Sequence, residues 1–262
     1  MKLSSANINV MIKACRKAAK VLIRDFGEIE NLQVSVKGPG DFVTTSDKKV
    51  EKILIDELQK ARPNYSILSE EIGEITNDQE FKWIIDPIDG TANFLHGIPH
   101  FAISVGLEKK GEIINGIIYD PIKDEMFLAE KGNGSFLNNQ RIRVSARSKL
   151  KNCIIFTGGP RQKSNDKELS FNEYKKFSSL VNTPIRKMGS AALDMAYVAA
   201  GRCDGFWQRY LKYWDVAAGI IIVKEAGGYI TDFNGNNEYL KNNTILATNS
   251  KINEEMIEIL NS

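Results

Sequence analysis

The segment from Trp83 to Thr91, WIIDPIDGT, constrains the fold more than any other part of the chain. An apolar strand delivers Asp86 at its end, Pro87 stiffens the turn, and Asp89 follows three residues later. Two carboxylates held this close on a rigid turn repel each other unless a cation lies between them. Because hard cations prefer oxygen ligands, the pattern predicts a Mg2+ site. An isolated D-x-x-D is more often a solvated turn, so the residues that follow it must distinguish a turn from a metal site.

A helix start comes directly after this turn. The stretch Gly90–Phe94 begins with a glycine, and the first N–H groups of a helix have no partner within it. These donors and the helix dipole bind anions such as phosphate. Metal carboxylates and an anion-binding helix start so close together predict a phosphoryl-transfer site.

The first half of the chain predicts two helices and an antiparallel sheet. Apolar residues recur at helical spacing over residues 6–26 and again over Lys48–Ala61, where Asp47 opens the helix. Two short strands are expected within residues 31–46, joined by a glycine-rich turn. Further strands are expected at Tyr65–Leu68, Lys82–Ile85, 101–107, 112–119, 125–129 and Arg141–Val144, the last after a turn at Asn138–Gln140.

The second half predicts a mixed sheet with helices on its faces. Expected elements are strands at Cys153–Phe156, Tyr229–Thr231 and Thr244–Ala247, a helix after the polar loop 158–170, and helices at Ser190–Ala200 and Asp215–Glu225. The fold class is therefore α+β. Residues 1–148 and 149–262 form the two halves, and we expect them to pack as one unit because no linker composition separates them.

Composition argues against several classes of function. With 35 basic and 33 acidic residues, the net charge of +2 offers no electrostatic argument for nucleic acid or an anionic membrane. Three cysteines and two histidines argue against a disulfide framework, a structural zinc site and a histidine-based triad. Basic residues interrupt the apolar residues of the N-terminus, and no apolar run is long enough to span a membrane. We therefore expect a cytoplasmic protein.

Four further motifs, in order along the chain, join WIIDPIDGT in resembling the inositol monophosphatase family. They are Asp41–Thr44 with Ser46–Asp47, Ser69–Glu71, Gly189–Asp194, and Tyr213–Gly219 with Glu225–Gly228. The stretch Gly189–Asp194 is most similar to the bacterial branch often called SuhB. The resemblance implies the layered αβαβα fold of sugar phosphatases, a magnesium-dependent and lithium-sensitive phosphoric monoester hydrolase, and a homodimer.

The resemblance also implies roles for individual residues. By this resemblance, Glu70, Asp86 and the carbonyl of Ile88 would hold one Mg2+, and Asp86, Asp89 and Asp215 would hold a second. The number of ions per site is two or three. Asp47 and Thr91 form a pair that, with Glu70, positions and deprotonates the attacking water. Substrate contacts are implied for Ile88, Asp89, Gly90, Thr91, Arg186, Gly189, Ser190, Ala191, Gln208 and Asp215. No covalent phosphoenzyme forms.

Position 208 departs from the family pattern. A glutamate commonly stands seven residues before the aspartate of the distal motif and accepts hydrogen bonds from substrate hydroxyls, whereas this chain has Gln208. An amide both donates and accepts, and it carries no charge. This departure leaves the metal ligands intact, but it leaves open whether an inositol phosphate is the substrate.

Alternative functions remain at this point. The substrate is an inositol-1-phosphate-like ester or another small phosphate, such as histidinol phosphate, fructose 1,6-bisphosphate, NADP or a nucleotide 3'-phosphate. A SuhB-type protein also offers a regulatory role with RNA or the transcription machinery as partner. Ordinary structural interpretations exist as well: Asp47 and Asp215 are candidate helix N-caps, Glu70 and Glu71 a surface pair, and Lys37 an exposed lysine near the site.

Overall fold

The computed structural model describes residues 5–28, 34–38, 41–77, 80–159, 164–180 and 184–262. The side chains of residues 34–38, 41–43, 164–166 and 180 lie outside this description, and so does the expected position of the Lys37 side chain. Within the described residues, no helix combines the length and apolar character that a membrane span requires.

The described part of the first half contains three helices, a two-stranded ribbon and an eight-stranded sheet. The helices α1 (Ala6–Gly27), α2 (Thr45–Ala61) and the short α3 (Thr91–Leu95) accompany the antiparallel ribbon of β1 (Val34–Gly38) and β2 (Asp41–Thr44). The large sheet comprises β3 (Ser66–Ser69), β4 (Gly73–Ile75), β5 (Phe81–Asp89), β6 (Ala102–Lys109), β7 (Glu112–Asp120), β8 (Glu125–Glu130), β9 (Gly134–Leu137) and β10 (Gln140–Ile142). Its strand order is β10-β9-β8-β7-β6-β5-β3-β4.

One pair in the large sheet differs from the expected antiparallel arrangement. Strands β3 and β5 are parallel, and Ser69 pairs with Ile85. The cause is β4, which folds back on the outer edge of β3, so the chain re-enters the sheet on the other side of β3. Since parallel neighbours run in the same direction, Glu70, directly after β3, and Asp86 of β5 lie side by side at the same end of the sheet.

The described residues of the second half form four α-helices and a five-stranded mixed sheet. The helices are α4 (Ser164–Leu180), α5 (Ala191–Ala199), α6 (Tyr213–Glu225) and α7 (Asn253–Asn261). The strands are β11 (Ile155–Thr157), β12 (Ile185–Arg186), β13 (Gly205–Arg209), β14 (Tyr229–Thr231) and β15 (Thr244–Thr248), in the order β12-β11-β13-β15-β14. Strands β11, β12 and β13 run parallel, and β15 pairs antiparallel with β13 and β14.

Three apolar cores hold five layers together, which confirms the αβαβα fold. Helices α1 and α2 pack on one face of the large sheet around Trp83 and Leu54. Helices α5 and α6 lie between the two sheets. Helices α4 and α7 cover the outer face of the small sheet, where Phe177 stacks on Trp207 with ring centroids 4.4 Å apart. Gly116 permits the approach of α6, because a Cβ there would lie 2.7 Å from the carbonyl of Ala218.

The apolar stretches at residues 101–107 and 112–119 suit either a dimer interface or a core, and in the structure they are core. They form β6 and β7 in the middle of the sheet, with α1 on one face and α6 on the other. Their near-continuous apolar sequences serve burial on both faces. The strands are therefore core and offer no surface to a second copy.

Candidate active site

Strand β5 carries Asp86 and Asp89, two of the predicted metal ligands, and it has a local irregularity between them. The expected strand end at Asp86 is wrong, because β5 continues to Asp89 with a register shift between Asp86 and Asp89 against β6. Pro87 lies in this shift, where its missing N–H removes a ladder bond. The N–H of Ile88 donates to Oδ1 of Asp86 over 3.0 Å, which fixes that carboxylate at the sheet edge.

Three buried carboxylates converge at this edge. One oxygen each from Asp86, Asp89 and Asp215 lies within 4.8 Å of the others, and the side chains are only 1%, 6% and 3% exposed. Burial raises the pKa of Asp86 well above its usual range, and the neighbouring charges of Glu70, Asp89 and Asp215 raise it further. Three ionised carboxylates buried this close together repel one another unless a cation lies between them. The donors are all oxygen, so the residues fit a hard divalent ion such as Mg2+.

Helices α5 and α6 orient two of these carboxylates. Oδ2 of Asp89 accepts hydrogen bonds from the hydroxyl of Ser190 and, over 2.7 Å, from the N–H of Ala192 at the start of α5. Oδ2 of Asp215 accepts from the N–H of Lys212 over 2.7 Å. Asp215 is therefore the third residue of α6 and not its N-cap, which Lys212 occupies. In both cases one carboxylate oxygen is held by a backbone amide.

The Asp47–Thr91 pair is assembled in the same place. The N-cap of α2 is Thr44, not Asp47, and Oδ2 of Asp47 accepts from the N–H of Thr44 over 2.6 Å. Oδ1 of Asp47 lies 3.3 Å from Oγ1 of Thr91, which also lies 2.9 Å from the carbonyl of Ile88. Burial raises the pKa of Asp47 to about 6, and the hydrogen bonds from Thr44 oppose this rise. Helix capping thus occupies one oxygen and leaves the other for Thr91.

A glycine is required between the carboxylates and α3. Gly90 precedes α3 with a φ of +95°, and a Cβ there would lie 3.1 Å from the carbonyl of His100 and 3.3 Å from that of Gly189. Asn93 fastens the other side of α3, because its Nδ2 donates to the carbonyls of His100 and Met188, both over 2.8 Å. The segment at 188–192 is therefore fixed against the helix start.

The family follows from comparison with known proteins. The model of the inositol monophosphatase family matches residues 5–262. The chain belongs to this family. Its similarity reaches 49% identity with the inositol-1-monophosphatase of Rhizobium meliloti (strain 1021), covering 98% of this chain and 96% of the relative. It is 39% identical to the Nus factor SuhB of Escherichia coli (strain K12), covering 95% of this chain and 94% of that protein.

A solved structure agrees closely with the fold. The extragenic suppressor protein suhB of Bartonella henselae superimposes with a TM-score of 0.94 at 49% identity, covering 98% of each chain. The family expected from the motifs is confirmed, and with it the class of phosphoric monoester hydrolase.

The remaining predicted site residues lie on β12, at the start of α5 and on β13. Arg186 ends β12 with an exposed side chain. Gly189 has a φ of +91°, and a Cβ there would lie 2.9 Å from Nδ2 of Asn93. Ser190 is buried, caps α5 and gives its hydroxyl hydrogen to Asp89, while Ala191 is the first residue of that helix. Gln208 lies half-buried on β13, and its substrate contact stays a prediction.

Sequence reasoning missed one residue that shapes this family member's site. Glu51 is 2% exposed, and its Oε1 accepts hydrogen bonds from the hydroxyl of Ser69 and from the N–H groups of Glu71 and Ile72 over 3.0 and 3.3 Å. It therefore holds the chain on both sides of Glu70. The available signal was its place four residues after Asp47, on the same face of α2.

Proposed function

We propose that this chain hydrolyses a small sugar-type phosphate monoester, resembling inositol 1-phosphate, by direct attack of water with Mg2+ bound. The observation that carries the proposal is the convergence of Asp86, Asp89 and Asp215, buried and within 4.8 Å of one another, beside the Asp47–Thr91 pair. A purely structural cluster of three buried carboxylates would be strongly destabilising.

The metal ligands are proposed from the chain's own oxygens. Asp86 of β5 and Glu70, directly after the adjacent parallel strand β3, would hold one ion together with the carbonyl of Ile88. Asp86 also faces Asp89 and Asp215, which supply a second, with room in the family's chemistry for a third. Bound Mg2+ lowers the pKa of water and stabilises negative charge on the phosphate and the leaving oxygen.

The Asp47–Thr91 pair is suited to removing a proton from the attacking water. The hydroxyl of Thr91 has one hydrogen and two acceptors in reach, Oδ1 of Asp47 and the carbonyl of Ile88. When that hydrogen points to Asp47, Oγ1 accepts a hydrogen bond from water, and the proton passes through Oγ1 to Oδ1. A pKa of about 6 leaves Asp47 ionised at neutral pH and still basic enough to serve.

The phosphate is proposed to rest against the first amides of α3. The N–H groups of Gly90 and Thr91 have no carbonyl partner within the helix. The left-handed conformation of Gly90 and its close approach to Gly189 hold this segment in place. Displacement is then in line with the leaving alkoxide, without a phosphoenzyme.

A panel of esters tests the proposal. Phosphate release is measured from inositol 1-phosphate, histidinol phosphate, fructose 1,6-bisphosphate, NADP and a nucleotide 3'-phosphate over a Mg2+ titration. We expect turnover of at least one ester that requires Mg2+ and is lost on chelation. Phosphate release at the same rate with and without Mg2+ would contradict the proposal.

A second candidate function, a regulatory role in transcription, is favoured by the 39% identity to a protein named Nus factor SuhB. The Asp86→Asn variant separates the two roles, because it removes a metal ligand from the interior and leaves the surface unchanged. A regulatory role independent of turnover would preserve ribosomal RNA synthesis in cells that carry only this variant. Loss of synthesis together with phosphatase activity would assign the effect to catalysis.

We also propose a cytoplasmic homodimer. The three cysteines are buried free thiols, as expected in a reducing compartment. Solution scattering at micromolar concentration should give twice the chain mass of 29.4 kDa. The monomer mass would contradict it.

A further inference from the structure

A cavity of about 200 Å³ opens between α4 and the ends of β11 and β13. Its described lining includes Gly158, Gly159, Phe171, Tyr174, Lys187 and Gln208. The rings of Phe171 and Tyr174 on α4 form an exposed wall, at 64% and 47% exposure. The opposite side is formed by the ends of β11 and β13.

Two glycines after β11 determine which side chains reach this cavity. A Cβ on Gly158 would overlap the amide of Gln208, and a Cβ on Gly159 would overlap the ammonium end of Lys187. Both side chains therefore lie flat across the glycines. This places one neutral amide and one ammonium group together on the cavity wall.

The cavity is within reach of a substrate held at the carboxylates. Lys187 precedes Ser190 by three residues, and an extended chain of that length spans at most about 11 Å. Ser190 donates to Asp89, and the carbonyl of Met188 is bound by Asn93 of α3. The segment that lines the cavity is thus the same one that orients a proposed metal ligand.

Among the described lining residues, one positive charge is not compensated. Arg209 forms an ion pair with Glu173, so these two charges cancel. Lys187 is exposed and makes no ion pair with any carboxylate in the part of the chain that the structure describes. Gln208 is neutral. An ammonium group without a carboxylate, aromatic walls and a donating amide suit an acceptor that carries negative charge.

We propose that this cavity receives the far end of the leaving alcohol and selects esters in which that end carries a second anionic group, a carboxylate or a phosphate. The inference rests on the proposed phosphatase function and specifies its substrate class. Lys187 supplies the charge, and Gln208 donates to the same group through its amide.

Matched six-carbon esters test this selectivity. Gluconate 6-phosphate and glucitol 6-phosphate differ only at C1, which is a carboxylate in one and a hydroxymethyl group in the other; glucitol 1,6-bisphosphate places a phosphate there. We compare kcat/KM for the three esters at fixed Mg2+ in the wild type, Lys187→Met and Gln208→Glu. Lys20→Met is the control, because Lys20 is an exposed lysine on α1, across the large sheet.

The wild type should prefer gluconate 6-phosphate, glucitol 1,6-bisphosphate or both over glucitol 6-phosphate. The preference should fall about threefold to fivefold in Lys187→Met, as for an exposed charge pair, and should fall again in Gln208→Glu. Lys20→Met should keep it. The preferred ester of the two distinguishes carboxylate from phosphate.

An absent preference in the wild type, or one that both variants retain, would overturn the inference while the phosphatase function stands. If no ester is hydrolysed, the proposed function fails instead. In that case, calorimetry measures the Kd of each of the three esters in the presence of Ca2+. The ratios of these Kd values in the wild type and the variants then decide the inference.

Discussion

The Asp86→Asn substitution should abolish turnover and yet stabilise the metal-free protein. Asp86 is 1% exposed, and burial together with Glu70, Asp89 and Asp215 raises its pKa well above the usual range. A carboxyl group whose folded pKa is raised loses stability as the pH rises above its unfolded pKa. At pH 7 the ionised form therefore weakens the metal-free fold, and an amide removes that penalty.

The magnitude follows from the linkage between pKa and stability. Each unit by which the folded pKa exceeds the unfolded one is worth about 1.4 kcal/mol at neutral pH. For a chain of this size, 1 kcal/mol corresponds to about 2–4 °C in Tm. The variant keeps an oxygen for the N–H of Ile88, which donates to Oδ1 over 3.0 Å. We expect the metal-free Tm to rise by several degrees.

Binding of Mg2+ should reverse the order of the two Tm values, so that the wild type becomes more stable than the variant. A ligand at a hundred times its Kd stabilises the fold by about 2.7 kcal/mol, so saturating Mg2+ should raise the Tm of the wild type by several degrees. The variant should show little of this shift and almost no phosphate release. Thermal unfolding with and without Mg2+ measures both effects, and Asp56→Asn, an exposed aspartate on α2, is the control.

Two outcomes would refute this reasoning. A variant that retains full activity and the full Mg2+ shift would show that Asp86 is not a ligand. A fall of several degrees in the metal-free Tm would show that its carboxylate stabilises the fold.

Three further predictions concern the groups around the carboxylates. Glu51→Ala should raise the Mg2+ concentration for half-maximal activity about tenfold, because the chain around Glu70 loses three hydrogen bonds. Glu51→Gln should recover part of the lost Mg2+ affinity. Calorimetry measures the Mg2+ affinity of each protein, and equal affinities in the wild type and Glu51→Ala would contradict the prediction. The kcat/KM should fall with unit slope below about pH 6, where Asp47 takes up a proton, and an unchanged acid limb in Asp47→Asn would assign it to another group. Millimolar lithium and calcium should inhibit by occupying magnesium positions, and insensitivity of phosphate release to both would count against the metal site.

Much of the candidate site could be predicted from the sequence because its residues are close together along the chain. The strand, the two aspartates and the glycine before α3 all lie within Trp83–Thr91, where local rules apply. The helix caps were harder to assign, since an aspartate at the cap and one at the third helical residue differ by one turn. Thr44 and Lys212 occupy the cap positions, and the aspartates lie three residues later.

Features that depend on distant pairings were not predictable in this way. The parallel pairing of β3 with β5 follows from the short strand β4, whose sequence GEI carries little signal. The role of Glu51 depends on how α2 meets the loop after β3, a contact between separate elements. The strands β6 and β7 did carry a usable signal, because a near-continuous apolar run indicates burial on both faces.

Hydrolysis of the ester panel in 18O-labelled water tests the central claim most directly. The protein is first stripped of metal with a chelator, and phosphate is followed before and after Mg2+ is added. The account predicts no release before Mg2+, steady release without a burst after it, and one labelled oxygen in each phosphate, because water attacks phosphorus directly. Release from the stripped protein, label in the alcohol, or no release from any ester with Mg2+ present would contradict it.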